Sequence, residues 1–227
     1  MGSNPVSHCV ELSLYPSPNF GERRGALLPG LIVIHYTAMA SCAEARSRLC
    51  DPATEVSAHW LISETGQCEA LVDEALRAWH AGAGAWAGVT DVNSQSIGIE
   101  LANTGNQPFP EPQMAALEGL LRAIMARWSI PPHRIVAHSD IAPTRKGDPG
   151  ARFDWQRLAL AGLSVWPQPA LAGPSVFLPS LRAFGYPDAP AADLLAAFRL
   201  RFRPWASGPL DATDAGQAHD LARRFVG

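Results

Sequence analysis

From Leu31 to Tyr36 the chain is a continuous run of apolar and β-branched residues broken only by His35, the pattern of a strand buried on both faces. Ser96 to Leu101 instead alternates. Ile97, Ile99 and Leu101 share one face of a strand, and Gly98 and Glu100 share the other. Between these two, Ala58–Ser63 and Gln67–Val72 flank a Thr65-Gly66 turn and predict a hairpin. A helical period appears weakly over residues 40–50. It is stronger from Pro112 to Trp128, where Met114, Leu117, Leu120, Leu121, Ile124, Met125 and Trp128 form one apolar stripe. Pro112 suits a first helical turn, and Pro131-Pro132 stops the helix. Arg134 to His138 then predicts a further strand. The order strand, helix, hairpin, strand, helix, strand predicts an α/β fold, a mixed central β-sheet flanked by helices.

Both ends have a different texture. The stretch up to Gly30 is rich in Pro, Ser and Gly without a period and predicts an arm laid on the core. Beyond Trp155, Pro167, Pro169, Pro174 and Pro179 mark residues 164–179 as a linker. Residues 180–227 then carry short amphipathic stretches at Leu181–Phe184, Asp193–Phe202 and Asp214–Phe225. The expected organisation is therefore a main domain over 1–163, the linker over 164–179, and a small all-α three-helix module over 180–227.

Composition removes several classes of function. With 47% hydrophobic and 17% charged residues the chain is ordinary globular material. A net charge of -3 offers no field for nucleic acid. No apolar run approaches the roughly 20 residues of a membrane span. Met1 to Pro5 shows no basic segment leading into an apolar one, which favours the cytoplasm for the chain as given; the cell envelope is the alternative if a leader has been removed. None of the four cysteines, Cys9, Cys42, Cys50 and Cys68, forms a C-x-x-C pair, so a cysteine metal site is not expected. If Cys42 and Cys50 lie on one helix, eight residues separate them by about 12 Å, beyond disulfide reach. No obligatory protein partner is predicted.

The candidate chemistry lies at strand ends. Alone, His35 and His138 read as hydrogen-bonded structural histidines. The segment after His138 changes this: Asp140, Arg145, Lys146 and Asp148 sit in a loop stiffened by Pro143 and Pro149. Two imidazoles and a returning carboxylate fill three corners of a zinc tetrahedron and leave the fourth open, as catalytic zinc sites do. Alone, Glu100 reads as a solvent-facing strand residue; on the polar face of its strand, with Gly98 leaving room beside it, it could take a proton from an activated water.

Five segments now stand in register: His35-Tyr36-Thr37-Ala38, Val56-Ser57-Ala58-His59-Trp60-Leu61-Ile62, Ala78-Trp79-His80-Ala81-Gly82, Ser96 to Leu101, and His138 to Pro143 continuing through Asp148-Pro149-Gly150. Together they resemble the type 2 N-acetylmuramoyl-L-alanine amidases, AmpD-like and AmiD-like, which share a fold with phage T7 lysozyme and the peptidoglycan recognition proteins. The resemblance covers roughly residues 15–158. It implies one zinc ion per chain on His35, His138 and Asp148, with Glu100 and Lys146 catalytic. It implies a cleft histidine at His80 that touches substrate, with Tyr36, Thr37 and Arg145 as further cleft residues. His59 is expected to be structural. Asp140 is either a partner orienting a metal-bound histidine or a turn cap. The implied reaction is hydrolysis of the bond between N-acetylmuramic acid, or its 1,6-anhydro form, and L-alanine. The implied partner is peptidoglycan or a muropeptide. The tail resembles a small peptidoglycan-binding module, with Arg199, Arg201 and Arg203 either contacting acidic stem peptides or forming a solvated basic face.

Two other readings stay open on these residues. One is a recognition module that binds peptidoglycan without cutting it; an intact Asp148 and Glu100 favour catalysis instead. The other is a zinc peptidase, against which stands the absence of His-Glu-x-x-His.

Overall fold

A computed structural model describes residues 12–26 and 28–225. In chain order the strands and helices are β1 (Leu12–Leu14), β2 (Phe20–Gly21), β3 (Leu31–Tyr36), α1 (Cys42–Leu49), β4 (Trp60–Ile62), β5 (Cys68–Ala70), β6 (Arg77–Ala78), α2 (Val92–Gln95), β7 (Ser96–Leu101), α3 (Glu111–Trp128), β8 (Ile135–Ala137), α4 (His138–Ile141), α5 (Trp155–Leu160), α6 (Phe177–Phe184), α7 (Ala191–Phe202) and α8 (Ala212–Arg224). One mixed sheet takes the order β1-β5-β4-β7-β3-β8. Its four strands β4, β7, β3 and β8 run parallel, and β5 returns antiparallel to β4. Gly66 turns the β4–β5 hairpin with φ 87°, and a Cβ there would lie 2.6 Å from the Pro112 carbonyl oxygen, so space and backbone both call for glycine. β1 pairs beside β5, so the N-terminal arm closes the sheet edge as a strand.

The alternation in the sequence sorts the two faces. Ile32, Ile34, Ile97, Ile99 and Leu101 point to one side and pack on Met114, Leu117, Leu121 and Ile124 of α3. Burying each such side chain contributes about 1.5–3 kcal/mol. Leu31, Val33 and Val136 point to the other side, into a core that also holds Phe177, Phe184, Phe198 and Phe202. Val165, inside the proline-rich stretch, is buried in that same core. The C-terminal helices therefore cover the lower half of the face on which His35 and Glu100 stand.

Three expectations change. His138 does not end a strand: it starts the turn of α4, because the Asp140 carboxylate accepts the Ala137 N–H at 2.8 Å and caps that turn. Arg199, Arg201 and Arg203 neither form a solvated face nor reach a cleft. Arg199 and Arg203 pair with Asp214 and Arg201 with Asp140, each at 2.5–2.6 Å. Asp140 also accepts the Tyr186 hydroxyl at 2.5 Å, so both its oxygens are taken and neither hydrogen-bonds an imidazole directly. Cys42 and Cys50 are not bonded to each other. The Cys42 thiol lies against Glu69 and the Cys50 thiol against the Tyr15 carbonyl; Cys9 lies outside the described residues. No described helix is long and apolar enough to cross a membrane.

Candidate metal centre and active site

The sheet order assembles the site. β3 lies between β7 and β8, with His35 opposite Glu100 in register on one side and Ile34 opposite Ala137 on the other. Residues from three adjacent parallel strands thus meet beyond their carboxyl ends, where α/β sheets place ligands. The loop after His138 folds back because the Ser139 N–H donates to the Asp148 carbonyl at 3.0 Å and the Ala142 carbonyl accepts from both Arg145 and Lys146. That closure brings the Asp148 side chain beside His138.

The result is a triangle of ligand atoms. His35 Nδ1 and His138 Nδ1 are 2.8 Å apart, and Asp148 Oδ2 is 3.1 Å and 3.0 Å from them. A zinc tetrahedron with ligands at about 2.0–2.1 Å has edges of about 3.3 Å. The triangle is slightly tighter than that, and the donor set of two imidazoles and one carboxylate fits the ion.

The hydrogen-bond network decides where the lone pairs point. The Ser96 hydroxyl donates to the Val92 carbonyl at 2.5 Å, so its oxygen accepts from His80 Nε2 at 3.1 Å. His80 Nδ1 then accepts from His35 Nε2 at 3.0 Å. His138 Nε2 donates to the Ala81 carbonyl at 3.0 Å. Both ligand rings are left with a bare Nδ1 aimed at the triangle. Burial, with His138 alongside, lowers the His35 pKa to about 4, so its ring is neutral at physiological pH. Three electron pairs therefore converge with no proton between them, and a cation satisfies all three at once.

Glu100 stands next to this group. Its Oε2 is buried and has no hydrogen-bond partner. Burial first, then the neighbouring Asp148 charge, push its carboxyl up to about 8 against the opposing pull of Lys146. A carboxylate near neutrality in a cleft is matched to moving protons. The cleft encloses about 400 Å³ and is lined on its polar side by Tyr36, Glu100, Arg145, Lys146 and Asp148, and on its apolar side by Met39, Leu49, Val56 and Trp79. A larger groove of about 590 Å³ runs past Leu14, Trp60 and Trp128, but its carboxylate Glu74 is already held by Trp60 at 2.9 Å, Trp128 at 2.5 Å and Arg127 at 2.8 Å.

The remaining expected residues fall into place with differences. His80 is 9% exposed and stands behind His35 with both ring nitrogens engaged, so it presents no nitrogen to a substrate. The room that Gly98 leaves is taken by His80, whose Cγ would lie 2.4 Å from a Cβ at 98. His59 is fully buried, accepting from the Gly98 N–H at 2.9 Å and bonded to the Leu76 carbonyl. Tyr36 lines the cleft; the Thr37 hydroxyl is engaged with the Asn103 backbone. Arg145 Nη2 donates to the Ala81 and Ala83 carbonyls, which ties the loop down while its side chain lines the cleft. Sequence reasoning missed Arg48 on the cleft wall, Ser96 as the anchor of His80, and Asn93, whose side-chain oxygen accepts from His80 and Ala81 N–H. Only Ser96 carried a signal, a polar residue opening a buried strand.

Comparison with known proteins agrees with this geometry. A family model described as N-acetylmuramoyl-L-alanine amidase matches residues 26–151. The N-acetylmuramoyl-L-alanine amidase AmiD of Escherichia coli (strain K12) is 36% identical over 231 residues, covering 86% of this chain and 83% of that protein. The structure of AmiD from E. coli in complex with the substrate anhydro-N-acetylmuramic acid-L-Ala-D-γ-Glu-L-Lys superposes with a TM-score of 0.80 at 33% identity, over 91% of this chain and 98% of that one. AMPDH3 of Pseudomonas aeruginosa, in complex with anhydromuramic pentapeptide, gives a TM-score of 0.80 at 30% identity, over 94% and 96%. By the family match and by the breadth of the likeness to AmiD, this chain belongs to the N-acetylmuramoyl-L-alanine amidase family.

Proposed function

We propose that the chain is a zinc-dependent hydrolase that cuts the amide bond between N-acetylmuramic acid, or its 1,6-anhydro form, and L-alanine in muropeptides or peptidoglycan. The observation that carries this reading is the convergence of three bare donor atoms within 2.8–3.1 Å of one another beside the unpartnered Glu100 Oε2. His35, His138 and Asp148 hold the ion. When bound there, zinc supplies Lewis acidity, which acidifies water to a pKa of about 7 and polarises a carbonyl.

The chain's own residues do the rest. Glu100 accepts the proton of the attacking water and delivers it to the departing alanine nitrogen. Lys146, on the same wall, balances the negative charge that develops on the carbonyl oxygen. His80 and Ser96 keep His35 in the tautomer that offers Nδ1, which makes His80 a positioning residue rather than a substrate contact. Tyr36, Thr37 and Arg145 shape the cleft, and the Arg145 charge suits the carboxylates of an acidic stem peptide. AmiD, similar over nearly the whole chain, is described with a substrate of this class.

A mass-spectrometric digest tests the proposal. Incubation with anhydromuropeptide or with whole sacculi should release a free peptide beginning with L-alanine and leave the sugar intact, and a chelator should abolish it. No cleavage of either substrate, or cleavage that survives metal removal, contradicts the reading.

A further inference from the structure

We propose that the C-terminal helices set the position of the metal ligands, through a buried cluster of Arg201, Asp140 and Tyr186; this rests on the metal reading given above. Arg201 of α7 and Asp140 of α4 both have side chains at 0% exposure, and the guanidinium Nη1 lies 2.6 Å from Asp140 Oδ2. The second arm of the same guanidinium, Nη2, donates to the Ile135 carbonyl at 2.7 Å. One side chain thus grips both ends of the segment 135–140, and His138 lies inside it. Tyr186 closes the cluster by donating its hydroxyl to Asp140 Oδ1 at 2.5 Å. Burial and the facing Asp140 push the Tyr186 phenol well above its ordinary range, so it stays a donor.

The grip reaches two of the three ligands. Asp140 caps the Ala137 N–H at 2.8 Å and so sets the backbone turn that projects the His138 ring. Ser139, in the same turn, donates its N–H to the Asp148 carbonyl at 3.0 Å, so movement of the turn carries Asp148 with it. Fold stability alone does not call for this cluster, because well-packed apolar residues stabilise a core as well as a buried ion pair does. An ion pair and two directed hydrogen bonds fix orientation, and orientation is what a ligand set held to a few tenths of an ångström requires. A control exists within the same helix. Arg199 makes an equally short pair with Asp214, with side chains at 10% and 0% exposure, and its other bonds go to the Gly208 and Pro209 carbonyls, away from β8.

The test is zinc affinity, measured on the full chain by competition with a chromogenic chelator, alongside the thermal midpoint. Arg201→Met should weaken zinc binding by about tenfold or more, in the range known for residues that support metal ligands. Tyr186→Phe should weaken it in the same direction by less. Arg199→Met should lower the thermal midpoint and leave zinc affinity unchanged. Zinc binding as tight as wild type in both Arg201→Met and Tyr186→Phe overturns the inference, as does an equal loss in Arg199→Met, which would mark the effect as general loosening. If Arg201→Met does not fold, Tyr186→Phe, which removes a single oxygen, decides alone. A wild-type chain that takes up no zinc overturns the metal reading and this inference together, whereas a normal wild type with unaffected variants overturns the inference only.

Discussion

In the C-terminal helices, Arg199, Arg201 and Arg203 are buried or nearly so, and each meets an aspartate at 2.5–2.6 Å. At the cleft, His35, His138 and Asp148 crowd their unprotonated atoms together, and Glu100 Oε2 has no partner at all. Both regions take polar groups out of water, a step that costs free energy unless they find partners. Around the C-terminal helices each arginine is matched by an aspartate, Arg201 by Asp140 of α4; at the cleft Glu100 Oε2 is left without a hydrogen-bond partner. Matched buried groups fix geometry, and unmatched groups held in place by a rigid sheet mark where chemistry is to be sought.

The largest effect that sharpens this contrast is expected at the unmatched carboxylate. Glu100→Gln should lower kcat on an anhydromuropeptide by about 10²–10⁴-fold, the usual worth of a positioned proton-transfer group, while zinc content stays the same. Retained turnover would remove Glu100 from the proton path, and loss of zinc would make it part of the metal site.

A smaller effect lies in the pH dependence of stability. In the metal-free protein Glu100 titrates at about 8, against about 4.5 in the unfolded chain. Between those values the folded state holds a proton that the unfolded state has released, so stability falls as pH rises through this window. The buried His35, His59 and His80, lowered from 6.5, act oppositely, and their contribution fades out above pH 6.5 as the unfolded imidazoles lose their protons. The Glu100 contribution is therefore read as the difference between wild type and Glu100→Gln, in which the histidine contributions cancel; from pH 6.5 to 8 the wild type should lose about 1–2 kcal/mol relative to the variant. Thermal unfolding of both metal-free proteins across that window measures the difference. Parallel stability curves for the two proteins would place the pH dependence elsewhere. Zinc loading should shrink the difference, since a nearby dication favours the ionised carboxylate.

The sequence made the strands β3 and β7, the helix α3 and the polar face carrying Glu100 legible, because each rests on a period within a few residues of itself. The proposed ligand set was hinted at by the charged, proline-stiffened loop after His138 and given residue by residue by the resemblance of five spaced motifs. What put the set together was strand order, β7-β3-β8, and no local pattern encodes which strands become neighbours. The tail arginines were misread for a related reason. Arg199, Arg201 and Arg203 look like a solvated stripe, and the acid that buries Arg201 is 61 residues away at Asp140. His80 lines the cleft as its motif implied, but the partners that engage its ring nitrogens, His35 and Ser96, lie in segments no local pattern connects to it. Local periodicity gives elements and faces; partners across the fold decide whether a polar residue meets water, a metal or another charge.

The most direct test of the central claim, that His35, His138 and Asp148 jointly hold one divalent ion, is elemental analysis of protein equilibrated with zinc and desalted. One zinc per wild-type chain is expected and none in Asp148→Ala, with the far-ultraviolet circular dichroism of the variant unchanged. A stoichiometric zinc retained by Asp148→Ala, or none in the wild type, would contradict it.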